Sequence, residues 1–384
     1  RFNAALDRSL TDMRVLWTER GPDLSYISAG VPWFDTLFGR DSALASMMSL
    51  ALRPEMAREV LRCLTRFQGK EVDIPREEEP GKIVHEVRQS EMANTGEVVF
   101  GRYYGSIDST PLFVLLAAEY YRWTADLELM RELQPALNAA LVWIDRYGDM
   151  DGDGYLEYKR KAARGLDNQG WKDSGDAIMD EKGALLEPPI ALVEVQGYVY
   201  AAKTGIAQVY EALGDGLRAR QLRQEAAALR RRLNSAFWMP NCYYALALDA
   251  RKRPAKVPTS NAGHLLWCGV PTKANARCQI DRLMRSDMYS GWGIRTLSSK
   301  SRRYNPMGYH VGSIWPHDNA LIAAGFKRYG AEAELSELTT AICDAAFAFP
   351  YFRLPELFSG SPRSAHHTPV PYPVACRPQA FAAA

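Results

Sequence analysis

The chain has 384 residues, of which 47% are hydrophobic, 11% aromatic and 24% charged. That is the balance of a soluble globular protein, and it excludes disorder, collagen and coiled-coil rods. Lys and Arg number 47 against 45 Asp and Glu, a formal charge of +2, so nothing electrostatic calls for nucleic acid or an anionic membrane as partner.

In chain order, helical periodicity predicts helices over 3–18, 41–52, 54–68, 109–123, 127–147, 190–212, 216–237, 273–284, 315–328 and 331–348, with a last one opening at Pro378. In 54–68, Pro54 takes the first turn, Met56, Val60, Leu61, Leu64 and Phe67 share a face, and Gly69 is the stop. In 216–237 the stripe is Leu217, Leu222, Ala226, Leu229, Leu233 and Phe237. The alternation of 243–248 reads as a strand of a small hairpin. Between the helices, 69–108, 148–189, 286–314 and 349–377 are long loops holding most of the Gly, Pro, Trp, Tyr and His; long ordered loops are usually functional. Strand–helix alternation, GxGxxG and GxxxxGK[ST] are all missing, which argues against parallel α/β folds. Roughly a dozen paired helices without a 34–47-residue repeat favour a closed toroid over an open solenoid.

The six cysteines (63, 242, 268, 278, 343, 376) show no metal spacing. They read as reduced buried thiols, which suits a cytoplasmic protein. Without a run of about 18 apolar residues, no membrane span is expected. Both ends read as fragment boundaries.

Five groups stand out. In Asn168-Gln169-Gly170-Trp171-Lys172-Asp173-Ser174, a carboxylate beside a Trp is either a desolvated general acid or a helix cap. Glu356, in Arg353-Leu354-Pro355-Glu356, lies outside any amphipathic pattern and is either on a turn or in a pocket. Trp33, Asp35, Arg40 and Asp41 combine aromatic faces with an Arg/Asp pair, which suits a sugar; Asp41 also fits an N-cap. Tyr309 to Asn319 reads as a cavity rim or an interhelical hydrogen-bond cluster. Asp149-Met150-Asp151-Gly152-Asp153-Gly154 begins like a calcium loop, but position 12 is Arg160, so a polar turn is the simpler reading. Glu77-Glu78-Glu79 reads as a solvated loop.

Ten blocks in one order cover nearly the whole chain. Among them are VPWFDTLFGRDS (31–42), EEPGKIVHEVR (78–88), FGRYYGSIDSTPLF (100–113), NQGWKDSGDAI (168–178), EVQGYVYAAK (194–203), YNPMGYHVGSIWPHDNALIAAG (304–325) and LPELFSG (354–360). Together they resemble bacterial amylo-α-1,6-glucosidase or glycogen-debranching-type glycoside hydrolases, related to glucoamylase, trehalase and the processing α-glucosidases. The resemblance implies an all-α fold, an (α/α)6 barrel with long loops at one end and a minor β-hairpin. It implies a single catalytic domain over 1–384, without the N-terminal β-domain or the end of the last helix. The implied reaction is inverting exo-hydrolysis of an α-glucoside, first of α-1,6 bonds in short α-glucans, with small glucosides as the alternative.

By resemblance Asp173 is the general acid and Glu356 the general base. An inverting pair stands ~6.5–9.5 Å apart, leaving room for water. Arg40 and Asp41 would hold the −1 sugar with Trp33 and Asp35 nearby. Tyr104, Asp108, Trp171, Gln196, His310 and Trp315 would wall the pocket, and Glu194 would orient the acid or bind a hydroxyl. No metal or cofactor is implied, and the partner is a small-molecule or oligosaccharide α-glucoside. A non-catalytic sugar-binding barrel is disfavoured by the presence of Asp173 and Glu356. A His-based epimerase would instead use His264, His310 or His317.

Overall fold

The computed structural model describes residues 1–21 and 24–384. Its helices are α1 (Phe2–Leu16), α2 (Gly39–Met48), α3 (Pro54–Arg66), α4 (Glu91–Asn94), α5 (Ser109–Thr124), α6 (Leu127–Arg146), α7 (Val193–Ala212), α8 (Gly216–Ala236), α9 (Asn261–Cys268), α10 (Lys273–Leu283), α11 (Pro316–Arg328), α12 (Glu332–Ala348) and α13 (Ala380–Ala383). Apart from the single turn α4, they alternate between two layers. Helices α2, α5, α7, α9, α11 and α13 form an inner ring in which each touches the next and α13 closes onto α2. Helices α1, α3, α6, α8, α10 and α12 pack around it. The fold is an (α/α)6 barrel.

The layering follows from side-chain chemistry. Helix α5 is buried without a break from Ser109 to Ala118, as a helix enclosed on all sides must be. Outer helix α8 buries only Ala219, Leu222, Ala226, Leu229 and Leu233, each large one contributing roughly 1.5–3 kcal/mol. Asp126, Asp215 and Thr272 cap α6, α8 and α10 through side-chain oxygens, and Pro54 and Pro316 open α3 and α11. The chain end is pinned beside the barrel's start: Val31 N donates to Pro378 O at 3.0 Å, and Arg377 N to Val31 O at 2.9 Å.

Several expectations are corrected. A four-stranded antiparallel sheet of β1 (Trp17–Glu19), β2 (Ser25–Gly30) and β3 (Phe34–Phe38), which precede α2, and β4 (Glu86–Val87), which follows α3, packs against α2. Its strands are short and broken by Pro32, so their alternation is faint. The expected strand 243–248 is split. β7 (Tyr243–Tyr244) pairs with β6 (Trp238–Met239), and β8 (Ala247–Leu248) pairs with β5 (Ala191–Leu192). Between them Ala245 N turns to Phe237 O and Leu246 N to Ala255 O. Helix α9 was not expected, because almost all of its eight residues are buried and no polar face marks a period.

Glu77, Glu78 and Glu79 are not solvated: each is 6% exposed or less. Glu77 accepts from Lys161 N, Ala162 N and Gln169 Nε2, and Glu79 from Trp143 Nε1, so they strut the loop that leads to Trp171. Cys242 and Cys278 are joined by a disulfide with Cα atoms 5.1 Å apart, leaving Cys63, Cys268, Cys343 and Cys376 as free thiols. The reduced-thiol argument for the cytoplasm loses that pair. Among the described residues, no helix is long and apolar enough to cross a membrane.

Candidate active site

The inner helices begin at the end of the barrel where the long loops gather. There, Phe34, Phe38, Arg40, Asp41, His85, Glu86, Arg88, Phe100, Leu166, Trp171, Asp173, Tyr309, His310, Trp315, His317, Glu356, Gln379 and Phe381 line a cavity of about 180 Å³. Arg40 and Asp41 are in the first turn of α2, Trp315 caps α11 and Gln379 caps α13. Two glycines permit the approach of these elements. A Cβ on Gly39 would lie 2.2 Å from Val84 O, and one on Gly170 would lie 2.3 Å from Leu192 Cδ1.

Asp173 and Glu356 meet in this cavity. No helix starts at Asp173 or Ser174, so the capping reading is set aside. Arg40 Nη2 donates to Asp173 Oδ2 at 3.2 Å, while Nη1 reaches Asp108 Oδ2 and Gly170 O, both at 3.1 Å. Burial pushes the Asp173 carboxyl up, the Arg40 charge opposes, and the Asp108 charge pushes it up again. Glu356 is held differently. Tyr309 Oη donates to its Oε1, and Cys376 N donates to its Oε2 at 2.9 Å. Burial raises its pKa while these two donors favour the ionised form. Asp41 accepts from Gln379 Nε2 at 3.1 Å, and its cap role fails because Phe38 is the N-cap of α2. Burial pushes Asp41 up to about 7 against the opposing Arg40 charge.

Trp171 forms the aromatic floor, stacked on His264 at 5.9 Å and edge-on to His310, Trp315 and His317. His310 stacks on Trp315 at 5.0 Å, and its Nδ1 accepts from Ser174 N, which leaves Nε2 to carry the proton. Burial lowers the pKa of both His310 and His317 far enough to keep them neutral. Four lining residues keep a buried polar atom with no protein partner: Trp171 Nε1, His85 Nδ1, His317 Nδ1 and Gln379 Oε1. Buried polar atoms are normally satisfied. Unpaired neutral donors and acceptors around a cavity suit a hydroxyl-rich ligand.

The other expected wall residues stand off the cavity. Alternation along β3 turns Phe34 inward and leaves Asp35 exposed. Trp33 is 55% exposed, its Nε1 bonded to Val374 O. Tyr104 is buried against Phe67 O and Arg102, and Gln196 clamps the backbone of Leu156. Asp108 lies behind Arg40. Glu194 is fully buried and does not line the cavity. Tyr309 lines the cavity, as the rim reading of 309–319 has it, and so do Phe34 and Phe38 of the 32–41 group; the lining residues that sequence reasoning did not single out are His85, Glu86, Arg88, Phe100, Leu166, Gln379 and Phe381. Glu86 and Arg88 fall inside a quoted motif; Gln379 and Phe381 carry no local signal.

In the calcium-like loop, Asp149, Asp151, Asp153 and Glu157 bring carboxylate oxygens within 4.8 Å of one another. The Lys252 ammonium lies among them, 2.9 Å from Asp151 Oδ2 and 2.7 Å from Asp153 Oδ2.

Residues 38–352 match the family model described as the mannosylglycerate hydrolase MGH1-like glycoside hydrolase domain. Among solved structures, the chain is similar to a GH63 mannosylglycerate hydrolase from Thermus thermophilus. In complex with glucose, the TM-score is 0.73 at 14% identity, over 99% of this chain and 98% of that one. In complex with Tris and D-glycerate it is 0.72 at 14%, over 99% and 97%. An uncharacterized conserved protein from the same organism gives 0.72 at 16%, over 99% and 98%. No curated protein sequence matches.

Proposed function

The chain belongs to the MGH1-like glycoside hydrolase family, whose members are inverting hydrolases of O-glycosyl bonds, and on that premise we propose that it removes one α-linked hexose from a small glycoside with a compact acidic aglycone. The observation that carries this reading is the convergence of Asp173 and Glu356 on one small cavity with Arg40, Asp41 and unpaired neutral polar atoms. Asp173 is the general acid. Desolvation favours its protonated form, and it gives that proton to the glycosidic oxygen. Glu356 is the general base. Its two neutral donors hold the carboxylate ionised and oriented, and it draws a proton from water attacking the opposite face of the anomeric carbon.

Arg88 speaks for the acidic aglycone. Its guanidinium lies on the cavity wall beside the Phe38 and Phe100 rings, 5.9 and 5.7 Å from their centroids. Its partner Glu86 is pushed up by burial to about 7, with Arg88 opposing. Near neutral pH that carboxyl only partly cancels the arginine, leaving positive charge for a carboxylate. The structural relative crystallised with D-glycerate supports the same class. A chain-shortening activity on α-1,6-glucans rests on the sequence blocks alone, and a cavity of about 180 Å³ offers a longer glucan little room.

The test is hydrolysis of α-mannosylglycerate, α-glucosylglycerate, isomaltose and isomaltotriose, with the released anomer followed by NMR. The proposal expects the two glycerate glycosides to be cleaved with the β-anomer appearing first. Turnover confined to isomaltose and isomaltotriose would overturn the aglycone assignment.

A further inference from the structure

An arginine at hydrogen-bond distance normally lowers a carboxyl's pKa by about one to three units. That is the wrong direction for a group that must donate a proton. Arg40 Nη2 stands in that relation to Asp173, at 3.2 Å. The other side of the same guanidinium is taken up by Asp108, which is fully buried at the N-cap of α5 and does not line the cavity. Asp108 Oδ2 accepts from Arg40 Nη1 at 3.1 Å, and its Oδ1 accepts from Ser106 Oγ at 2.6 Å. The hydroxyl fixes Asp108, Asp108 fixes the guanidinium from behind, and Asp173 receives what remains of its charge.

We propose that Asp108 is a positioning residue that engages Arg40 from behind and so keeps the general acid Asp173 protonated in the reactive complex. The proposal rests on Asp173 being the acid. It moves Asp108 from the pocket wall, where sequence resemblance put it, to a place behind the charge that governs proton donation. The groups facing Asp173 are Arg40 and Asp41 from α2, Glu86 from β4, Asp108, and Tyr309 and Glu356 from the late loops. Of these, Arg40 and Asp108 act most strongly on Asp173, Arg40 lowering its pKa and Asp108 raising it. With Asp108 neutral, the full Arg40 charge falls on Asp173.

The experiment is kcat against pH on α-mannosylglycerate, whose alkoxide leaving group needs protonation, for wild type, Asp108→Asn and Ser106→Ala. In Asp108→Asn the alkaline limb, which reports the acid, moves down by about one pH unit, so kcat above that limb falls about tenfold. The acidic limb, which reports Glu356, stays in place. Ser106→Ala disturbs the same contacts but keeps the charge, and leaves both limbs in place. Asp108→Ser, a neutral residue well suited to the same cap, gives the same shift and serves if the Asn variant does not fold. A uniform fall in kcat with unmoved limbs would make Asp108 merely structural. The same shift in Ser106→Ala would show that its charge is not the cause. Asp173→Asn is run alongside: if it keeps full activity, the acid assignment fails, whereas an inactive Asp173→Asn with unmoved limbs in Asp108→Asn sinks this proposal alone.

Discussion

The two walls of the cavity hold their carboxylates by opposite means. On the wall built early in the chain, Asp173 faces the Arg40 cation, which Asp108 and Asp41 also engage. On the wall built late in the chain, Glu356 is held by the Tyr309 hydroxyl and the Cys376 amide, neither of them charged. Both carboxyls are raised by burial, so burial alone does not tell acid from base. The difference lies in what each partner can give up. On the roles proposed above, a guanidinium shared among three carboxylates can transfer its bonds to sugar hydroxyls and leave Asp173 to its proton, while neutral donors fixed by the fold keep Glu356 as an oriented acceptor.

The largest effect expected from breaking this contrast is at Arg40. Arg40→Met leaves Asp108 buried without its counter-charge, and removing one partner of a buried ion pair costs about 3–5 kcal/mol. Urea unfolding near neutral pH should show that loss in Arg40→Met and a smaller one in Arg40→Lys, which keeps the charge. An equal loss in both would mean that packing and geometry, not charge, are what Arg40 supplies.

Next is Tyr309→Phe on the opposite wall. Glu356 loses a donor to its ionised form, so its pKa rises and the acidic limb of the rate profile moves up by about one pH unit. The alkaline limb should not move. A shift of the alkaline limb instead would exchange the roles of the two walls.

A third, smaller effect concerns stability and pH. Asp41 is raised to about 7 from an ordinary 3.8, so between those values the folded state binds the extra proton. Its contribution is fully present below about pH 4 and is lost as pH rises through 7. Asp41→Asn removes that dependence, so its melting temperature should fall less between pH 4 and 8 than that of the wild type. Parallel curves would show that Asp41 is already ionised in the fold.

The smallest effect belongs to Trp33, exposed and hydrogen-bonded away from the cavity. Trp33→Ala should keep kcat/KM within about threefold, since a side chain that touches neither state of the reaction changes neither. A loss of a hundredfold would bring Trp33 into the sugar site.

Much of this was legible before the fold was known, for uneven reasons. Amphipathic outer helices such as α3 and α8 announce themselves, because one face meets water. Inner helix α9, buried all round, does not. Asp173 and Glu356 were visible because each is a carboxylate in apolar surroundings. Gln379 and Phe381 were not singled out, because what makes them wall residues is ring closure, which brings the chain's end to its beginning. The glutamates at 77–79 misled for the complementary reason: a run of charge reads as solvated until Lys161, Gln169 and Trp143 arrive from distant segments to satisfy it. Trp33 and Asp35 were placed near the sugar by the resemblance of their block, and the register of β3 turns Phe34 to the cavity in their stead.

The assignment of roles to the two walls is tested most directly by leaving-group dependence. Asp173→Asn and Glu356→Gln are each assayed on α-mannosylglycerate and on α-mannosyl fluoride, since fluoride departs with little need of a proton donor. The account predicts that Asp173→Asn loses about 10²–10⁴-fold on the glycerate glycoside while cleaving the fluoride within about tenfold of wild type, and that Glu356→Gln loses both. Equal losses on the two substrates in Asp173→Asn, or a Glu356→Gln enzyme that still turns over the glycerate glycoside, would contradict it.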